Sequence, residues 1–408
     1  MKNTLGITIV CTLLTLNIAL CQSKAKAESS VIIKNNSSSN RTEVIVVDIS
    51  NLEKKQRARL KVGIGAIGKI PVECLDTNKD GVVDKLSVLA SLPAGKSVSL
   101  NLQSWMPDPS FQKKTQAEIS IKKGGFWKGR EYQNGQFENV DFVRVPKEHT
   151  DHSWYIRYEG PGWENEMIGY RFYLDWRNAA DIFGKKVNTL VLQDVGQDGF
   201  DSYHEESDWG MDILKAGKSL GIGSIGRMND QKVVEHFEKT DSVTCEITVN
   251  GALSSSIETN YYGWQTSLGK CDLNSQLTIH TGDRATTHRV TFDKEVSNFC
   301  TGIVKHPSGE YFTKSSEKWS YIATYGNQTL FDDKLGMAIF YKNDQAQRVA
   351  TDDEHSYLVL FNPAKELEYQ FLGAWEKEPN GITDRAAFEA LLDQKLAALD
   401  KPFLVEIK

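Results

Sequence analysis

The densest set of reactive side chains lies in GQDGFDSYHEESDWGMDILKAGKSLGIGSIG, which places Tyr203, His204, Glu205, Glu206, Asp208, Trp209 and Asp212 within ten positions. Polar groups this crowded are costly to bury without partners, so they line either water or a site. His204 can move a proton near neutral pH, with Asp208 or Glu205 fixing its tautomer, and Tyr203 is a second proton carrier. The plainer reading is a solvated acidic loop capped by Trp209. Gly217, Gly221, Gly223 and Gly226 would let backbone approach a sugar closely. They make no nucleotide fingerprint, which needs G-x-G-x-x-G between a strand and its following helix.

Upstream, GPGWENEMIGYRFYLDWRN sets Glu164, Tyr170, Arg171 and Arg177 among aromatics. A strand over 169–175 puts Arg171, Tyr173 and Asp175 on one face. Arg171 could then grip a planar carboxylate with two parallel hydrogen bonds, or form a cross-strand ion pair with a neighbouring acid. His280, Asp283, Arg284, His288 and Arg289 form a third group and His306 stands apart. Neither H-E-x-x-H nor H-x-H occurs, which disfavours a catalytic metal, and no G-x-S-x-G elbow marks a serine hydrolase. Trp264, Tyr321, Tyr325 and Trp375 could stack on sugars, although core packing explains each equally well.

The run DTNKDGVVD offers oxygen ligands at alternate positions, Asp76, Asn78 and Asp80, then a turn glycine and Asp84. Hard oxygen donors around one point suit calcium. Ser87 stands where a calcium loop usually ends in Glu, so a polar Asx turn between strands is the competing reading.

The elements that must position these groups are mostly strands. TEVIVVDIS, KLSVLASL and SVSLNLQ predict a small antiparallel sandwich over 28–110. From residue 111 onward, aromatic-rich runs such as MIGYRFYLDW, SQLTIHTG, LGMAIFY and LEYQFLGAWE predict a second, larger β domain reaching 408. AAFEALLDQKLAAL carries helical spacing within 383–399. The 408 residues are 40% hydrophobic and 25% charged, the composition of a globular chain. A net charge of -6 without a basic run argues against nucleic acid as a partner. Residues 1–27 read as a secretory signal, with either Ala25-Lys26-Ala27 as the cleavage site or Cys21 as a lipid-anchored residue. The protein is therefore expected outside the cytoplasm, in the periplasm or at the outer membrane. Cys74, Cys245, Cys271 and Cys300 remain, and structural burial or one disulfide among the last three is expected.

Together DTNKDGVVD, GPGWENEMIGYRFYLDWRNAADIFGKK and YHEESDWGMDILKAGKSLGIG resemble a secreted Bacteroidota family, domain of unknown function 4861. The family is associated with an ulvan oligosaccharide dehydratase. That resemblance implies a large β-supersandwich like that of galactose mutarotases and several polysaccharide lyases. It also implies loss of water from the terminal uronate of an acidic oligosaccharide, a chemistry that requires no cofactor, so that calcium at Asp76, Asn78, Asp80 and Asp84, as read from the loop itself, would be structural only. Taking the proton from carbon 5 builds negative charge on the carboxylate, which needs a cation or hydrogen-bond donors. Under this reading Arg171 is the clamp, His204 and Tyr203 the proton carriers, and His280 and Tyr321 their substitutes. Tyr170, Glu164, Asp208, Trp209, Arg227 and Trp264 would contact substrate. A polysaccharide lyase would use the same roles to cut a glycosidic bond. A non-catalytic glycan-binding protein would need only the contacts. A glycoside hydrolase would need a carboxylate pair from Glu164, Glu205, Asp208 and Asp212.

Overall fold

The computed structural model describes residues 29–198 and 202–408; the expected signal segment and Cys21 lie outside them. The described chain is predominantly antiparallel β. In the small sandwich a five-stranded sheet runs Arg41–Asp48, Lys85–Leu92, Ile70–Leu75, Gly63–Ile67 and Trp105–Pro107 in spatial order. It packs on a three-stranded sheet of Leu404–Ile407, Ser30–Lys34 and Ser97–Asn101. Alternating apolar residues, among them Val31, Ile33, Val72, Val88 and Leu100, meet between the sheets and bring in Phe403. The small domain therefore takes its last strand from the carboxy terminus, beyond the expected 28–110.

The larger unit is built on a nine-stranded sheet. Against one face lie two five-stranded sheets. One has Gly162–Asn165, Gly169–Phe172 and Ala180–Lys185 at its middle, and the other has Ile222–Met228, Phe299–Val304 and Ser356–Phe361. All three share one core, in which Trp163, Ile182, Ile225, Phe299, Val359 and Phe371 are buried. A parallel bridge from Ala180 to Gly221 joins the two smaller sheets edge to edge.

The opposite face of the nine-stranded sheet is divided. The helix Arg385–Asp400, capped by Asp384 on the Ala387 N–H at 2.9 Å, lays Phe388, Leu392 and Leu396 over Tyr321, Ala338 and Phe340. The rest of that face is polar and turns toward the small sandwich. There Glu73, 4% exposed, accepts the amides of Ala252 and Leu253 at 2.6 and 3.0 Å, and Ser254 donates to Ser87 at 2.9 Å. A side-chain methyl at Gly251 would overlap the Glu73 carboxylate and push it from these amides.

The four described cysteines are buried and unpaired, so the expected disulfide does not form among them. Cys245 and Cys271 fill the large core, while Cys300 sits in a separate cluster beneath Leu358 and Leu360. Burial pushes the Cys245 thiol up to about 12.

Candidate active site

Strand alternation sends Tyr170 and Ile182 into the core and Arg171, Asp181, Phe183 and Asp212 to the outer face of their sheet. That face is roofed by the chain after Lys185, which packs Val191, Leu192, Val195 and Tyr203 onto Tyr158 and Phe183. Tyr203 and His204 are thereby lowered onto Arg171. Arg171 is 1% exposed. Its Nη2 meets Asp212 at 2.6 Å, Asp181 at 3.3 Å and the Tyr173 hydroxyl at 3.2 Å. Its Nη1 meets the Tyr158 carbonyl at 3.0 Å and the Tyr203 hydroxyl at 3.2 Å. His204 Nε2 lies 3.4 Å from the same Asp212 oxygen, Oδ2.

Two buried carboxylates on one guanidinium leave negative charge in excess. Burial, with Asp212's charge acting on Asp181, raises both carboxyls above the ordinary aspartate range although Arg171 opposes the shift. Burial likewise holds the Tyr203 phenol in its protonated form. Arg171 is thus no clamp for a substrate carboxylate. It is an ion-paired positioning residue, its cross-strand partner being Asp181.

Above this network a narrow cleft is lined by Lys122, Phe137, His152, Trp154, Tyr158, Glu159 and Tyr203. Its enclosed part holds about 20 Å³, room for one water-sized group. At the rim stands Trp154, which is 42% exposed. Lys122 Nζ lies 5.3 Å from the Phe137 ring and 5.9 Å from Trp154, and partial burial lowers its pKa. His152 Nδ1 is 2.9 Å from Asp151, so a carboxylate orients the imidazole. The loop is strained: His152, Trp154, Tyr158 and Glu159 all hold φ between 40° and 69°. Each such residue costs on the order of 1–3 kcal/mol, and strain of this kind clusters at functional sites. His149 braces the loop from beneath through Ser153 Oγ at 2.7 Å and the Glu159 carbonyl at 3.3 Å.

Asp151, His152 and Glu159 form the one grouping among the described residues whose ligand atoms lie within 4.8 Å of one another. Arg177 already occupies the position a cation would take, 2.8 Å from Asp151, 3.2 Å from Glu159 and 2.5 Å from Asp175. The donor set therefore fits its own guanidinium better than a metal.

The remaining expected residues disperse. Tyr170 is buried, donating to the Arg284 carbonyl and accepting the Gly373 amide. Glu164 is buried on Lys185 at 2.5 Å and on the Val191 and Leu192 amides. Trp264 stacks on Phe237 within the core. Arg227 is spent on the Ser297 carbonyl and Thr266. Tyr321 packs under the carboxy-terminal helix. These five hold the fold and are not available to a ligand. Asp208 is exposed outside the cleft, and Trp209 packs edge-on against Phe183 at 5.9 Å. His280 is bonded to Ser254 at 2.8 Å on the polar face of the nine-stranded sheet, and burial lowers it to about 4. His288 is locked between Ser275 and Tyr369. Lys122, His152, Trp154 and Glu159 were not singled out in the sequence. The only local signal was the Asp-His pair in HTDHSW.

In the small sandwich the Asp76 oxygens accept the Asp80 and Gly81 amides, and Asn78 accepts Asp80 as well. Lys79 at φ 59° and Gly81 at φ 82° fold the loop around those oxygens. Asp84 turns to Thr77, accepting its amide at 2.9 Å and its hydroxyl at 2.7 Å. The side-chain oxygens of this loop are thus taken up by its own amides, as in an Asx turn, and Asp84 by Thr77.

The family model for Domain of unknown function (DUF4861) matches residues 33–405. The chain belongs to the DUF4861 family. No curated protein matches this DUF4861 member. Among solved structures, it is similar to a protein in the glycosyl hydrolase family 38 from Enterococcus faecalis, with 8% identity and a TM-score of 0.44. It is similar also to an alpha-mannosidase from Enterococcus faecalis V583, with 9% identity and a TM-score of 0.42. The alignments cover 93% and 94% of this chain and 47% and 46% of those, so the DUF4861 chain spans about half their length.

Proposed function

We propose that this DUF4861 member is a carbon–oxygen lyase that acts on the terminal uronate of an oligosaccharide, expelling water. The observation that carries the reading is that Tyr203, the Asp151-oriented His152 and Lys122 line one cleft. Lys122 faces the charge that grows on the carboxylate. His152 takes the proton from carbon 5, and the bonding pair becomes the carbon 4–carbon 5 double bond. The carbon 4–oxygen bond breaks and the departing oxygen takes its proton from Tyr203, leaving as water. Arg171 holds Tyr203 in place and the His204 ring leans on it at a tilt of 34°, ring centroids 4.5 Å apart. The narrowness of the cleft favours a chain end over an internal linkage, and so dehydration over chain cleavage.

Ulvan oligosaccharides, a mutarotase-like supersandwich, an extracytoplasmic location and a structural calcium belong to this reading as its finer parts. Mass spectrometry of defined uronate-ended oligosaccharides tests it. Loss of one water without shortening is expected, with a new ultraviolet absorbance from the conjugated uronate. Shortened products would favour a polysaccharide lyase if unsaturated and a glycoside hydrolase if saturated. Binding without any product would leave a glycan-binding protein.

A further inference from the structure

A second cavity, of about 450 Å³, lies between the small sandwich and the uncovered half of the nine-stranded sheet. Its volume is in the range of small-ligand sites. The sheet wall is laid out in cross-strand rows. Ser256 stands opposite Thr278, Thr278 opposite Thr287, and Thr287 opposite Gln370. In the next row Glu258, Gln276, Arg289 and Glu368 stand side by side on successive strands. The facing wall adds Thr77, Lys85 and Ser87 from the small sandwich.

The walls are mixed: hydroxyl, amide and charged side chains predominate, and Val46, Leu75 and Val249 add apolar surface. The charges are of both signs and mostly cancel locally, Arg289 pairing with Glu366 at 2.6 Å and Lys342 with Glu368 at 3.2 Å. A ligand that is one concentrated charge finds no clustered opposite charge here, and a wholly apolar ligand would leave the hydroxyl rows unpaired. A molecule with a hydroxyl on nearly every carbon can both donate to and accept from such rows. The groove is held open by design of its floor, where the chain Ser87–Ser254–His280 is hydrogen-bonded from one domain to the other at 2.9 and 2.8 Å.

We infer that this interdomain groove is a glycan-binding site separate from the Tyr203 cleft, taking the neutral, hydroxyl-rich part of an oligosaccharide chain. It does not rest on the elimination chemistry, and a protein without lyase activity could still use it.

The test is saturation-transfer NMR and calorimetry on the full chain with two probe sets: neutral xylo- and cello-hexasaccharides, and uronate-ended hexasaccharides. Three proteins are compared: wild type, a cleft variant (Lys122→Ala with Trp154→Ala) and groove variants. Thr287→Trp fills the groove, and Gln276→Ala with Arg289→Ala removes contacts while leaving the sheet backbone alone. Binding of at least one neutral hexasaccharide is expected in the wild type, unchanged in the cleft variant and at least tenfold weaker in both groove variants, each with wild-type circular dichroism. Binding lost in the cleft variant but kept in the groove variants would overturn the inference, as would no binding by any probe. Failure of the lyase reading is read separately, as unchanged mass of the uronate-ended probes.

Discussion

Arg171 and His204 converge on one oxygen of Asp212, Oδ2, at 2.6 and 3.4 Å. The guanidinium is buried and the imidazole is 30% exposed, so the carboxylate links a fixed charge inside the sheet to a group at its surface. Tyr203 rests on the same guanidinium. Changing any member of this set should therefore be felt at the cleft.

The first prediction concerns the cleft itself. His152→Ala and Tyr203→Phe should each lower kcat on uronate-ended oligosaccharides by about 10²–10⁴-fold, the usual range for a lost proton-transfer group. Lys122→Ala should reduce kcat/KM, and Lys122→Arg should restore part of it. Steady-state ultraviolet assays beside circular dichroism decide the matter. Full activity in folded His152→Ala would remove it from the mechanism.

The buried ion cluster should make stability depend on pH in a definite direction. Asp181 and Asp212 hold their protons more tightly folded than unfolded. Stability from the protonated forms is thus present at low pH and lost as pH rises from about 4, the ordinary aspartate value, through the raised ones. Urea midpoints measured across that interval should fall in the wild type and fall less in Asp181→Asn. Parallel curves would contradict the assignment. Arg171→Met, which strips the carboxylates of their cation, should destabilise by about 3–5 kcal/mol.

The junction between the two domains depends on Glu73 and Gly251. Glu73→Ala leaves the Ala252 and Leu253 amides without their acceptor, a loss of about 1–3 kcal/mol for each buried group left unpaired. Gly251→Ala should act similarly by displacing the carboxylate. Calorimetry should resolve an earlier transition for the small sandwich in both variants, and a single unshifted transition would argue that docking is held elsewhere.

For the loop of Asp76, Asn78 and Asp80, calcium should raise the unfolding temperature of chelated protein. A concentration a hundredfold above Kd corresponds to about 2.7 kcal/mol of stabilisation. Asp76→Ala should abolish the rise. No heat on titration to millimolar calcium would mean that the loop is held by its own amides.

Much of the framework could be read from the chain. Alternation in TEVIVVDIS, KLSVLASL and SQLTIHTG gives strands because side chains on a pleated backbone alternate sides, and the spacing of Phe388, Leu392 and Leu396 gives the closing helix for the corresponding 3.6-residue reason. The cluster around Tyr203 and the placement of Arg171 on the face opposite Tyr170 were visible for the same reason. Local periodicity says which face a residue occupies. It does not say what covers that face.

That second fact belongs to the tertiary structure. Arg171, aimed outward by its strand, is buried because the segment after Lys185 folds back over the sheet, and its charge is consumed by Asp181 and Asp212 from neighbouring strands. Glu164, Tyr170, Arg227, Trp264 and Tyr321 were equally plausible ligands as isolated side chains, and became structural once their partners were supplied from distant segments. His152 and Lys122, inconspicuous in a linear chain, share a cleft with Tyr203 because a strained loop and a short strand end beside it. The sequence alone determined the β architecture and the residue types available, since both follow from near-neighbour geometry. Which of those residues meet was decided by long-range packing, because burial and pairing depend on segments that only the fold brings together.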